Sequence, residues 1–198
     1  MWSEISLNHQ TLPKGYRFMC SMDFQRNRNK MLALVKLSLV LTVVPVAVGL
    51  LLVPVKPSWE LMKSRWWSWF ALGAALILYI PLHELVHGIS MYLLTGVRPK
   101  YGVKLPYAYC GSTAWFDRRS HVITALAPVV FFGVLLQVAI ALTPPEWFWP
   151  LWIIQISNLS GSAGDIYCAW ALMRMEGDIL IQDTGVNMRI YIAPPRDS

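Results

Sequence analysis

The sequence predicts an all-α membrane protein, a four-transmembrane-helix bundle with short cytosolic N- and C-terminal segments. Hydrophobic residues make up 56% of its 198 residues and charged residues only 14%, where a soluble domain carries about a quarter charged. Four apolar stretches recur, at 32–55, 66–95, 122–143 and 147–173, each long enough for a hydrocarbon core that takes about 20 helical residues. Tryptophans gather where the second and fourth stretches begin, at Trp66, Trp67 and Trp69 and again at Trp147, Trp149 and Trp152, as in the aromatic belt of a membrane interface.

Residues 1–31 read as a polar N-terminal arm, with a turn over Leu12–Tyr16 leading into a short extended piece. The arm lacks the early apolar core of a secretory signal, so the first apolar stretch is expected to remain as a span. Lys36 snorkels from that span to the interface, and Pro45 kinks it. Residues 56–65 are expected to form a short loop. The second stretch is longer than a core of about 30 Å requires at about 1.5 Å per residue. Pro81 gives it a kink and frees the carbonyl of Ile77.

The connector at 96–121 reads as an interfacial loop. A short hairpin or edge strand over Lys100–Tyr109 is the alternative, and such an edge could pair with an unwound substrate segment. Asp117 and His121 are expected at the surface. Pro128 and Gly133 interrupt the third stretch. In the tail, 174–198, two short runs about Thr184-Gly185 suggest a hairpin.

Net charge is +6, but its distribution points to topology and away from nucleic acid. Thirteen of the 17 Lys and Arg fall in the arm, the connector and the tail, and three in the 56–65 loop. Positive charge marks the cytosolic side, which places both termini there. The three cysteines show no metal-type spacing and no disulfide framework.

Chemistry enters at His83-Glu84-Leu85-Val86-His87-Gly88, an H-E-x-x-H motif inside the second stretch. Residues four apart stack on one helical face, so both imidazoles can reach one metal, with Glu84 beside them as general base for a zinc-bound water. Ionisable groups inside a membrane helix are costly and mark function.

A catalytic zinc takes a third protein ligand. The fourth stretch offers Asn158, Ser162 and Asp165 on one helical face. His83 is seventeen residues past Trp66 and Asp165 eighteen past Trp147, which puts both about 26 Å along their helices from the same interface. Asp165 is therefore favoured over Cys168, Asp117, His121 and Glu176. Asn158 and Ser162 are weaker candidates for contacting substrate or an oxyanion.

On the H-E-x-x-H-G motif, on Asn158-Leu-Ser-Gly-Ser-Ala-Gly-Asp165 and on the intervening Ala125-Leu-Ala-Pro128, the chain resembles site-2-protease-type intramembrane zinc metalloproteases. It is closest to a family of small bacterial multi-pass zincin peptidases. In site-2 proteases a glycine follows the ligand aspartate, whereas here Gly164 precedes Asp165 and Ile166 follows it. The resemblance implies zinc as cofactor, a bacterial plasma membrane as location, and a membrane-protein or peptide substrate cut in or near the bilayer. The alternatives are a non-catalytic metal-binding scaffold or transport accessory, and a peptidase acting on soluble peptides at the cytosolic face. The sequence sets no oligomeric state.

Overall fold

A computed structural model describes residues 11–22, 28–104 and 107–194. His9, Pro106 and the last four residues of the tail lie outside them. In chain order the elements are β1 (Arg17–Met22), α1 (Arg28–Leu52), α2 (Lys56–Ser64), α3 (Trp67–Thr95), β2 (Lys100–Lys104), β3 (Tyr107–Gly111), β4 (Phe116–Asp117) and α4 (Arg118–Leu142). A 3-10 turn (Pro145–Trp147) then leads to α5 (Phe148–Gly161), α6 (Ala163–Met173), β5 (Ile179–Asp183) and β6 (Met188–Ile192).

Among the described residues three helices, α1, α3 and α4, are long and apolar enough to cross a membrane. The expected fourth span is not one helix. It breaks at Ser162 into pieces of 14 and 11 residues. The Ser162 hydroxyl donates to the carbonyl of Asn158 at 2.8 Å, the kind of local bond that competes with the helix ladder. Flanking glycines, Gly161 and Gly164, add little to hold the turn.

Contacts divide the chain into two compact units. The first comprises Asn29–His83 and Pro128–Asp165, and its regular elements are all helices. Indole N–H groups hold α1 to α5: Trp152 Nε1 donates to the carbonyl of Pro45 at 3.0 Å and Trp149 Nε1 to that of Val53 at 3.3 Å. Both rings close over Gly49, where a Cβ would run into them. Residues 56–65, expected as a loop, contain α2. Pro57 sits in its first turn, where a missing N–H costs nothing, and Ser58, Leu61 and Met62 are buried.

The second unit comprises Met1–Arg28, Glu84–Ala127 and Ile166–Ser198. Among the described residues it carries six strands, more than the small hairpins that the all-α reading allowed in the connector and tail. Four form an antiparallel sheet in the order β1-β6-β5-β4, and β2 pairs with β3 as a hairpin. The tail hairpin was expected. In the connector the hairpin, the alternative to an interfacial loop, is the one formed: its Tyr- and Val-bearing run pairs in register from Lys100–Gly111 to Lys104–Tyr107, which suits the pleated surface those residues favour. Leu172, Ile179, Ile181 and Ile190 form the buried centre of the sheet's core. Where β3 ends, Ser112 N–H donates to the carbonyl of Asp183 at 2.7 Å. Gly111 there lies against the backbone of Thr184.

His121, expected at the surface, is instead 2% exposed. Its Nε2 lies 3.7 Å from Asp183 Oδ2 and 4.0 Å from Cys168 Sγ. Asp117 caps α4, accepting from Ser120 N–H at 2.7 Å, as an N-cap carboxylate does.

Candidate metal centre

Helix α3 runs without interruption from Trp67 to Thr95, through Pro81. His87 therefore follows His83 by one turn on the same face, and both are buried, at 8% and 9% exposure. Asp165 opens α6, and its Oδ2 lies 3.3 Å from His83 Nε2. Ligand atoms of His83, His87 and Asp165 all lie within 4.8 Å of one another, and among the described residues no other trio of His, Cys, Asp or Glu meets that test.

Hydrogen bonds decide which imidazole nitrogen faces that point. His87 Nδ1 lies 2.9 Å from the carbonyl of Thr124. A carbonyl only accepts, so Nδ1 carries the proton and Nε2 the lone pair. The carbonyl is available because residue 128, four positions on, is proline: Pro128 has no N–H to complete the helix bond. His83 Nδ1 is 2.8 Å from the hydroxyl of Tyr79, which turns its Nε2 toward Asp165. A spacing of 3.3 Å between His83 Nε2 and Asp165 Oδ2 suits either a hydrogen bond between them or a metal cation held by both. Two imidazoles and one carboxylate are the donor set that a catalytic zinc takes, so the residues present fit the ion.

Glu84, the motif's carboxylate, is partly buried. Its charge is felt by the β2–β3 hairpin. Burial first, then Cys110 and Glu84, push the Tyr101 phenol above its ordinary value. Burial, Glu84 and Asp183 push the Cys110 thiol up to about 12. The Tyr101 ring and hydroxyl fill the space where a Cβ on Gly88 would stand, so the glycine that ends the motif lets the hairpin approach α3.

Asn158 and Ser162 are both fully buried. The Asn158 amide accepts from the Tyr79 hydroxyl at 2.8 Å through Oδ1 and donates to the carbonyl of Val129 at 3.1 Å through Nδ2. Of the competing ligands, His121 and Cys168 neighbour each other, Asp117 caps α4, and Glu176 is exposed. Sequence reasoning missed Tyr79 and Thr124. Tyr79 carried a usable signal, lying one helical turn before His83, and Thr124 lies one turn before Pro128.

Two buried histidines and a partly buried aspartate thus form a candidate metal centre on a protein with membrane-length helices. A family model described as "Putative zincin peptidase" matches residues 76–180, more than half of the chain, and the chain belongs to that family. The match takes in every residue of the centre described above. No curated protein and no solved structure matches the chain.

Proposed function

We propose that the protein is a membrane-embedded, site-2-protease-like zinc metallopeptidase that hydrolyses peptide bonds in or near the bilayer. The observation that carries this reading is the contact of Asp165 with His83, one turn before His87 on the same helix. Nε2 of His83, Nε2 of His87 and the Asp165 carboxylate would hold the ion. When bound, zinc supplies a Lewis acid that acidifies water and polarises a carbonyl. Glu84 takes the proton of the attacking water on its carboxylate and returns it to the leaving nitrogen.

Sheet topology supports four crossings with both termini on the cytosolic side. Strands β1, β4, β5 and β6 precede, separate and follow the long helices, yet they share one sheet, and an open sheet does not straddle a bilayer. After β4 the chain crosses in α4, so it must return before β5. The only segment able to do so is α5 with α6. The positive charge of the arm, connector and tail then marks their side as cytosolic. Reporters inserted at residue 56 and after Ile192 should read opposite sides, and a shared side would overturn this topology.

The test of the chemistry uses purified protein with zinc content and peptide-bond cleavage measured together. Glu84→Gln should keep zinc and lower cleavage by about 10²–10⁴-fold. His83→Ala should lose both. Cleavage that persists in the Glu84 variant would remove the base from the mechanism. Zinc bound by wild type without cleavage of any membrane or soluble peptide would favour a metal-binding scaffold.

A further inference from the structure

One hydrogen-bond chain in the helical unit runs from a candidate ligand to a backbone carbonyl: His83 Nδ1 to Tyr79 Oη (2.8 Å), Tyr79 Oη to Asn158 Oδ1 (2.8 Å), and Asn158 Nδ2 to Val129 O (3.1 Å). Its direction follows from its last member. The Val129 carbonyl has no proton, so it must face the NH₂ of Asn158. That leaves Oδ1 toward Tyr79, which must donate to it. A hydroxyl has one proton, so Tyr79 then accepts from His83, and the His83 proton sits on Nδ1. Each step is forced by the one before. The amide orientation and the imidazole tautomer thus rest on the network.

We propose that Tyr79 and Asn158 are positioning residues that fix His83 with its proton on Nδ1 and its lone pair on Nε2, toward Asp165. The inference rests on the metal-centre reading given under Proposed function. His87 reaches the same state directly, through the carbonyl of Thr124. His83 is linked to a carbonyl, that of Val129, through two side chains. Asn158 is 0% exposed, which shields the relay from exchange with water, and Tyr79 also packs edge-on against Phe132 at 5.2 Å between ring centres. A buried partner on the non-ligating nitrogen orients a ligand histidine and raises its basicity, and losing it typically costs 10–100-fold in metal affinity.

The experiment measures zinc affinity by chelator competition and the visible spectrum of the cobalt-substituted protein for wild type, Tyr79→Phe, Asn158→Ala and the double variant. Tyr92→Phe, a partly exposed tyrosine farther along α3, is the control. Tyr79→Phe removes one oxygen and keeps the ring. It should weaken zinc binding 10–100-fold and shift the cobalt band, while Tyr92→Phe leaves both unchanged. The double variant should cost no more than the worse single one, because both break one chain. Affinity within twofold of wild type and an unshifted cobalt band in Tyr79→Phe would overturn the proposal, whatever happens to the stability of the metal-free protein. If Asn158→Ala does not fold, Tyr79→Phe alone decides. Wild type that binds no zinc would sink the metal-centre reading itself, a result distinct from zinc-binding wild type with an indifferent Tyr79.

Discussion

His87 Nδ1 donates to the carbonyl of Thr124 at 2.9 Å, and that carbonyl is the one Pro128 leaves without a partner in α4. A proline inside a membrane helix is tolerated where something else satisfies the backbone group it exposes. Here the imidazole does so, and in return it receives a fixed tautomer. The helix defect and the orientation of the histidine are one feature.

Pro128→Ala tests that coupling. It returns an N–H to the helix, so the Thr124 carbonyl acquires a competing donor. Because a carbonyl has two lone pairs, His87 keeps part of its bond. Zinc affinity should therefore fall only a few-fold, below the lower end of the 10–100-fold range for full loss of such a partner. An affinity equal to wild type would mean that the freed carbonyl does not orient His87.

Parts of this arrangement were legible in the sequence because they are local or arithmetical. The two imidazoles follow from helix period alone. The proximity of Asp165 to His83 could be reached by counting residues from the tryptophan belts. Other parts depend on partners that no local pattern names. β1 pairs with β6 across nearly the whole chain, and β4 is two residues long. Neither has a periodicity to read. The His121 ring looked like a surface group beside Arg118 and Arg119, yet packing against Phe116 and Cys168 buries it. The break at Ser162 is a competition between one hydroxyl and one helix bond, too fine for hydropathy to register. The Thr124 carbonyl belongs to the backbone, so only Pro128, four residues on, betrays it.

Gly88 and Tyr101 yield a second prediction. A Cβ at Gly88 would overlap the outer atoms of the Tyr101 ring. Gly88→Ala must therefore push the β2–β3 hairpin from α3, and overpacking of this kind costs about 1–3 kcal/mol. The colliding atoms belong to one side chain that is itself 50% exposed, so the strain has a specific cure. Thermal unfolding of Gly88→Ala, Tyr101→Ala and the pair should show that the second substitution recovers most of what the first loses. Additive losses would mean that the glycine serves the backbone of α3 instead of the hairpin.

Cys110 carries the pH dependence. Burial first, then the charges of Glu84 and Asp183, push its thiol from 9.0 up to about 12. The thiol is neutral when protonated, so above about pH 9 the unfolded chain has lost a proton that the folded chain still holds. Stability then falls with rising pH, because the unfolded state binds fewer protons. The contribution is fully present below about pH 9 and is lost as the pH climbs toward about 12. Tyr101 and Tyr16, also raised, add to the fall with the same sign. Cys110→Ala should make the stability profile between pH 9 and 12 shallower without flattening it. Glu84→Gln, which removes the second-ranked cause, should bring alkylation of Cys110 in the folded protein to a lower pH. A profile unchanged in Cys110→Ala would show that the thiol is not what holds the fold back from alkali.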